Sequence, residues 1–407
     1  MLFCPTCANC LIIQLDDQGH NKWSCHTCPY EFPIIRQMTT RQHLKRKEVD
    51  DVMGGEEAWK NVDSIDAPCP KCENPKAFFM QLQIRGSDTM CVIFWTTSSP
   101  AYSLVIASNR DEFLSRPTLP ASWHDFSNGR SSSSSSSILS ARDSTGGGTW
   151  LGITRNGAFA TLTNFTELSA PLPPGLDAFE SRGRLVRDWL SHASTRSPAK
   201  SVGEAEMEVH EYLARVGEKG ERFPGFNLLI GLPSDEGTVV GYITNRTADG
   251  QVERGREGDI FLPTTQSPAG MSNSTLTNPW AKVTSGSARF NVILAQAPQD
   301  DQDAVVEQLF DLLWTSSTPK PAQRSELRNS VLISPLELPA ATEGGRDWYA
   351  TRTSTVIVVG RDGRARLVER DTFRIENGEA VLVNGPEGSG AVQGRSGGER
   401  VFEWHIG

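Results

Sequence analysis

Met90-Cys91-Val92-Ile93-Phe94-Trp95 and, a few residues on, Ser103-Leu104-Val105-Ile106-Ala107-Ser108-Asn109-Arg110-Asp111-Glu112-Phe113 contain two β-rich apolar runs, each about as long as a strand. What precedes them has a different composition. Of the eight cysteines, seven lie at or before Cys72 and the last is Cys91, so nothing after residue 91 carries a thiol. Paired Cys-x-x-Cys clusters, in a chain whose start shows no basic segment followed by an apolar h-region, point to metal in a reducing compartment rather than to disulfides. The boundary is therefore expected near residue 90, in a chain of 407 residues that is long enough for two or three units.

The composition supports folded units. Hydrophobic residues make up 37% and charged residues 22%, which is compatible with a packed core and far from the disordered class. No run approaches eighteen consecutive apolar residues, so no membrane span is expected and the chain reads as soluble and intracellular. Residues 1–89 carry 10 Lys and Arg against 12 Asp and Glu, leaving 30 against 37 for the rest of a chain with net charge -9. Neither part has the positive charge of a domain that reads nucleic acid directly.

Beyond residue 90 the pattern changes period repeatedly. Trp150–Thr154 and Ala158–Thr163 flank Arg155-Asn156-Gly157, a hairpin signal because Asn and Gly both tolerate positive φ. Residues 184–191 and 205–216 place Leu185, Val186, Trp189, Leu190 and then Ala205, Val209, Tyr212, Leu213, Val216 on single helical faces. Strands are expected at 226–231 and 238–243, helices at 288–294 and 304–314, and a strand pair at 354–359 and 364–368 across Asp362-Gly363. Strands, helices, strands, helices, strands, without regular βαβ alternation, describe antiparallel sheets covered by helices, an α+β layered domain. The seven serines from Ser131 to Ser137 cannot bury apolar surface and read as part of a flexible insertion near 127–137.

The first segment reads Cys4-Pro5-Thr6-Cys7, then Cys25-His26-Thr27-Cys28. Two such tips bring four thiolates onto one tetrahedral zinc with short antiparallel strands between them. Cys10 and His26 lack the paired spacing and are expected not to bind. A ribbon of this size has too little core to fold by itself, so zinc is expected to supply most of its stability.

Together with Lys45-Arg46-Lys47-Glu48, Trp59-Lys60-Asn61-Val62-Asp63, Cys69-Pro70-Lys71-Cys72 and Phe78–Arg85, this segment resembles the small zinc-ribbon subunit of RNA polymerase III, which is related to elongation factor S. The resemblance covers residues 1 to about 85. It implies an N-terminal ribbon that docks on polymerase III core subunits, a nuclear or nucleolar location, and a second ribbon whose acidic hairpin promotes transcript cleavage. Cys69 and Cys72 would be metal ligands of that second ribbon. Its second Cys-x-x-Cys is missing, and Asp88-Thr89 stands where the family has Asp-Glu. Transcript cleavage is therefore not expected, since one carboxylate does not hold the catalytic metal as two do.

Residues 90–407 resemble the NRDE family, also called the Transport and Golgi organization 2 family. The motifs are Asn109-Arg110-Asp111-Glu112-Phe113, Arg116-Pro117, Gly147–Ile153, Thr163-Asn164, Gly270-Met271-Ser272-Asn273 and Tyr349-Ala350-Thr351-Arg352. The resemblance implies the four-layer αββα fold of N-terminal-nucleophile hydrolases. Cys91 would be the nucleophile, Arg110 and Asp111 would position it, and Asn164 and Asn273 would stabilise an oxyanion. The domain would take a small-molecule ligand and work in Golgi organisation or in haem or lipid handling, placed in the cytoplasm, Golgi or mitochondrion.

Such a nucleophile uses its own α-amine as base, and Cys91 has none while residues 1–90 remain attached. A cysteine amidohydrolase acting on a small amide is thus the alternative function, conditional on processing, and a buried core thiol is the other reading of Cys91. Asn109–Glu112 reads equally as a turn or as part of a site, and His124, His210 and His405 as surface or capping residues. The domains are then a ribbon at 1–35, a linker with a truncated second ribbon at 36–89, and the NRDE-type domain at 90–407. A break inside one family followed by another family's Met-Cys start reads as two neighbouring genes joined by a mistaken gene model rather than as a natural fusion. Sequencing of the transcript across the codons for Arg85 to Cys91 checks this.

Overall fold

The computed structural model describes residues 2–35, 90–126, 136–166, 176, 178–263, 270–297, 301–339, 346–385 and 398–406, with backbone strands at 64–66 and 76–78. Two compact units emerge, Met1–Gln81 and Leu82–Gly407. In the first, β1 (Leu11–Leu15), β2 (Asn21–Cys25) and β3 (Glu31–Pro33) form an antiparallel sheet, and β4 (Ser64–Asp66) pairs with β5 (Lys76–Phe78). Among its described side chains in 2–35 only Cys4, Ser24 and Cys25 are buried. Ile13, Trp23 and Phe32 lie opposite one another across the three strands, and Ile13 and Phe32 are exposed.

The second unit is built on two seven-stranded antiparallel sheets. One contains β8 (Thr118–His124), β9 (Ile138–Asp143), β10 (Leu151–Thr154), β11 (Phe159–Asn164), β12 (Phe226–Ser234), β13 (Gly237–Thr244) and β14 (Asp259–Phe261), paired in sequence order. The other runs β15 (Gly270–Met271), β6 (Val92–Thr96), β7 (Tyr102–Phe113), β17 (Arg346–Gly360), β18 (Arg364–Asp371) and β21 (Glu399–His405), with β16 (Leu336–Pro339) also on β17. A short hairpin of β19 (Phe373–Glu376) and β20 (Glu379–Leu382) completes the strands.

Alternation within the strands sets the layers. Ile93, Trp95, Leu104, Ile106, Ile357 and Leu367 of one sheet meet Leu139, Ile153, Phe159, Leu229 and Tyr242 of the other. The intervening residues Val92, Phe94, Val105, Ala107, Val356 and Val358 face α3 (Ala281–Gln296) and α4 (Gln302–Leu313). On the far side, Ala160, Leu162, Leu228, Ile230 and Ile243 face α1 (Gly183–Ser194) and α2 (Val202–Glu218). The order is αββα, and strands covered on both faces carry near-continuous apolar runs. Ser201 caps α2 through the Glu204 N–H at 3.2 Å, and Asp301 caps α4 through the Ala304 N–H at 3.0 Å.

Several expectations change in detail. Asn109–Glu112 is not a turn: β7 runs through it, and all four residues are buried. Four consecutive polar residues imitate a turn in sequence, but each finds partners in the interior. The hairpin at Asn156-Gly157 has positive φ only at Gly157 and closes by the Thr154 N–H to Ala158 carbonyl bond at 2.8 Å, which makes a three-residue loop. Helix α3 starts at Ala281 rather than 288, since Lys282 and Gly286 sit on its buried stripe and conceal the apolar period. His124 is buried, bonded to Ser140 at 2.9 Å and packed edge-on to Phe126, while His405 is exposed and bonded to the Asp362 carbonyl. Residues 127–135 of the Ser-rich insertion lie outside the described residues. Its last two serines are fixed: Arg155 Nε donates to the Ser136 carbonyl at 2.9 Å and the Ser137 N–H to Asp125 at 2.8 Å.

Candidate functional site

The β1–β2 hairpin of the ribbon brings its two Cys-x-x-Cys tips together. Cys4 and Cys28 sulfurs are 3.5 Å apart, those of Cys7 and Cys25 are 3.4 Å apart, and all four lie within 4.8 Å of one another. Four sulfurs at about 2.3 Å from one tetrahedral zinc are ~3.8 Å apart, so the donor set and its spacing fit that ion. The Thr27 hydroxyl and backbone N–H pull the Cys25 thiol down to about 6, while burial and hydrogen bonds to the other three sulfurs push Cys28 up to about 12, so the four share protons that a bound metal would displace. The cluster of Cys4, Cys7, Cys25 and Cys28 supports zinc binding by the ribbon. Cys10 and His26 are not part of this cluster. Cys69, Cys72, Asp88 and Thr89 lie outside the described residues.

A second cluster forms where β6 begins. Pairing of Val92 with Asn109 sets Cys91 beside the Arg110-Asp111 step of β7, and the Asp111 backbone N–H donates to its sulfur. On the neighbouring strand, Thr351 pairs with Asp111 and Thr353 with Arg110, so Arg352 is an extra residue in β17. This bulge frees Arg352 to donate to the Leu114 and Arg116 carbonyls and fixes the chain that follows β7. The Thr351 hydroxyl donates to Asp111 Oδ1 at 2.6 Å, whereas Asp111 Oδ2 accepts no hydrogen bond and faces Lys282 Nζ at 3.9 Å. Lys282 comes from the first turn of α3, fully buried, and its ammonium donates to the Met90 carbonyl at 3.1 Å. The Met90 N–H donates to the Tyr349 hydroxyl at 2.6 Å, and that hydroxyl donates to the Asp111 carbonyl at 3.3 Å.

The expected residues therefore converge in part by direct contact and in part through neighbours. Ser272 donates to the Cys91 carbonyl at 2.6 Å. The Ser272 carbonyl accepts from Thr163 at 2.7 Å and from Asn227 at 2.9 Å, and the Thr166 N–H donates to the Asn273 carbonyl at 3.0 Å. These bonds join the end of β11, which carries Asn164, to the segment after β15, which carries Asn273. Arg110 is buried, stacks 3.8 Å over Trp150, donates to Thr118 at 2.9 Å and lies 3.5 Å from Glu112. Asn109 has a structural part: it donates to the Leu313 and Val331 carbonyls at 2.7 and 3.0 Å, which ties β7 to the end of α4. Sequence reasoning quoted Ser272, Tyr349 and Thr351 without a role and missed Lys282. Its signal was a cation on the stripe Lys282, Gly286, Phe290, four residues apart.

Burial dominates the electrostatics. It pushes the Cys91 thiol up to about 12, with the Asp111 charge adding to the effect, and it raises Asp111 to about 6 against the opposing pull of Lys282 and Thr351. It also pulls the Lys282 ammonium down and drives the Tyr349 hydroxyl well up. In the intact chain Cys91 is thus a protonated thiol without a base. At neutral pH the unreactive thiol, not the thiolate, is therefore the resting form. Alkylation of Cys91 in the folded full chain is expected on the order of 1,000-fold slower than that of an exposed cysteine, measured by mass spectrometry of the Cys91 peptide. A rate like that of an exposed thiol would contradict the buried placement.

The sequence profile of Transport and Golgi organisation 2 matches residues 90–374. The chain belongs to the Transport and Golgi organisation 2 family. The family's protein 2 homolog from Bos taurus is 32% identical over 292 residues, covering 69% of this chain and 92% of the relative. The profile of the RNA polymerases M/15 Kd subunit matches residues 1–36, and that of transcription factor S-II matches 67–96. DNA-directed RNA polymerase III subunit RPC10 of Schizosaccharomyces pombe is 46% identical over 97 residues, covering 23% of this chain and 89% of that subunit. A zinc ribbon of the polymerase III small-subunit type is thus joined to a Transport and Golgi organisation 2 unit.

The second-ribbon match runs past the expected end near residue 85 and overlaps the other profile at 90–96, residues that the strand pairing of β6 assigns to the αββα unit. Among solved structures, the chain is similar to penicillin V acylase from Agrobacterium tumefaciens, at 13% identity and a TM-score of 0.35 over 69% of this chain and 83% of that one. It is also similar to the conjugated bile acid hydrolase from Clostridium perfringens, at 11% identity and a TM-score of 0.32 over 78% and 97%.

Proposed function

We propose that the ribbon is a zinc-dependent docking module for RNA polymerase III, and that it places the chain in the nucleus without conferring transcript cleavage. The observation that carries this is the row Ile13, Trp23 and Phe32, apolar across three strands and exposed at both ends, on a sheet whose buried side chains among the described residues 2–35 are Cys4, Ser24 and Cys25. An apolar row that the ribbon does not cover itself is what a partner's surface would bury. Association with purified polymerase III lacking its own small ribbon subunit is the test. Wild-type chain is expected to bind and Ile13→Asp to bind at least tenfold more weakly with its zinc content unchanged, while neither restores cleavage. Equal binding by Ile13→Asp sinks the docking surface, and restored cleavage sinks the second statement.

A second reading rests on the Met90–Cys91 junction. The αββα unit carries a latent cysteine nucleophile for hydrolysis of a small amide. Removal of residues 1–90 would give Cys91 a free α-amine as base beside Asp111, with Arg110 positioning the thiol and Asn164 and Asn273 supplying oxyanion donors. The observation that favours it is the concentration of Cys91, Asp111, Lys282 and Tyr349, all buried, around one peptide bond. Buried ionisable groups gathered in this way around a nucleophile make a functional-site candidate. Mass spectrometry of the chain from its own cells decides it: a species beginning at Cys91 is expected, and only intact chain would leave Cys91 a core thiol.

A further inference from the structure

Met90 is the last residue before the candidate nucleophile, and it is anchored at three points. Its N–H is on Tyr349 Oη at 2.6 Å, its carbonyl is on Lys282 Nζ at 3.1 Å, and its side chain, 5% exposed, packs with Leu327, Ile333 and Tyr349. Phe113, Trp280 and Leu338 close the same cluster and are themselves only partly buried. A residue that merely links two units has no need of a buried ammonium on its carbonyl. The energetic cost of burying Lys282 is met by the Asp111 charge at 3.9 Å and by a hydrogen bond to the Met90 carbonyl, and that acceptor leaves with Met90. What remains is an apolar pocket with an ammonium and a tyrosine hydroxyl at one end, beside Cys91.

We propose that Met90 is a built-in plug that occupies the place of the ligand, and that the pocket it fills takes the chain of a short unbranched acyl compound whose carbonyl lies on Lys282. The proposal rests on the latent-nucleophile reading for the opening of the pocket and adds the ligand class. Met90 itself gives the dimensions: a carbonyl followed by an unbranched run of Cα, Cβ, Cγ, Sδ and Cε, the length of a hexanoyl group. A flexible thioether chain fills a narrow gap that a branched one of equal volume does not enter. The polar end fits a carbonyl, since the Lys282 ammonium donates there, while the Tyr349 hydroxyl, whose proton lies on the Asp111 carbonyl, accepts from an N–H beside it as it does from Met90.

The test uses the full chain and does not depend on processing. Met90→Gly removes the side chain and leaves the peptide bond, and it is expected to lower the Tm by about 10 °C. Ethyl methyl sulfide, the missing side chain as a free molecule, is expected at millimolar concentration to restore at least half of that loss. The branched tert-butyl methyl sulfide restores none, and neither compound shifts the wild type, whose pocket is plugged. Ile333→Trp in the Met90→Gly background abolishes the response. If Met90→Gly does not fold, Met90→Ala with dimethyl sulfide makes the same measurement. Absence of a response to the linear sulfide, or an equal response to the branched one, overturns the proposal even where a chain beginning at Cys91 is found. A selective response supports the pocket even where the chain is found intact, in which case only the latent nucleophile fails.

Discussion

Chelation of zinc, or Cys25→Ser, is expected to unfold residues 2–35 completely while leaving the main melting transition of the αββα unit in place. The argument is the distribution of burial. Among the described residues of the ribbon the interior consists of Cys4, Ser24 and Cys25, whereas Phe3, Ile13, Leu15, Phe32 and Ile35 are all exposed. Three short strands with no apolar face in the interior are not stable in water. Structural zinc contributes about 10–16 kcal/mol in peptides of this kind, far above anything the ribbon's few contacts supply. Removing one thiolate leaves three ligands, and the ion is lost or held loosely. Zinc content per chain should fall by one for Cys25→Ser, with loss of the amide protection of β1 and β2. Cys10→Ser, outside the cluster, should change neither. Retained protection in zinc-free chain would show that something other than the metal holds the hairpin.

The ribbon was legible because ligand spacing is local: each Cys-x-x-Cys tip is a turn, and the turn already points its sulfurs. The αββα layers were legible from alternation, since Ile93, Trp95 and Ile106 must face one way and Phe94, Val105 and Ala107 the other. Illegible were the places where tertiary partners reverse what residue type suggests. Asn109–Glu112 has the composition of a turn and becomes interior strand because the Leu313 and Val331 carbonyls, Thr351 and Thr118 are there to satisfy it. Lys282 has the chemistry of a surface residue, and only the arrival of Met90 and Asp111 from other elements makes its burial tolerable. Sequence alone does not separate nucleophile from core thiol at Cys91, and in the intact chain its protonation is that of a core thiol while its neighbours are those of a site.

Lys282→Met is expected to destabilise the αββα unit by about 3–5 kcal/mol, because it leaves the Asp111 carboxylate buried with no counter-ion. The asymmetry of a buried pair makes this testable: breaking it costs far more than replacing both members. Asp111→Asn combined with Lys282→Met should recover most of the loss, whereas two unrelated losses would add. The pH dependence has a definite sign. Burial holds Asp111 at about 6, above its ordinary 3.8, so the folded state binds the proton more tightly than the unfolded one. Its contribution to stability is greatest below about pH 4 and declines as pH rises to about 6, then stays level. Without Lys282 the carboxyl rises further, the decline extends to higher pH, and the deficit of Lys282→Met relative to wild type widens between pH 5 and pH 8. Denaturant unfolding of the wild type, the two single variants and the double variant across that range measures it. A deficit that is the same at both ends, or a double variant as unstable as the sum of the singles, would mean that Lys282 stabilises the fold by packing its stem and that Asp111 is satisfied without it.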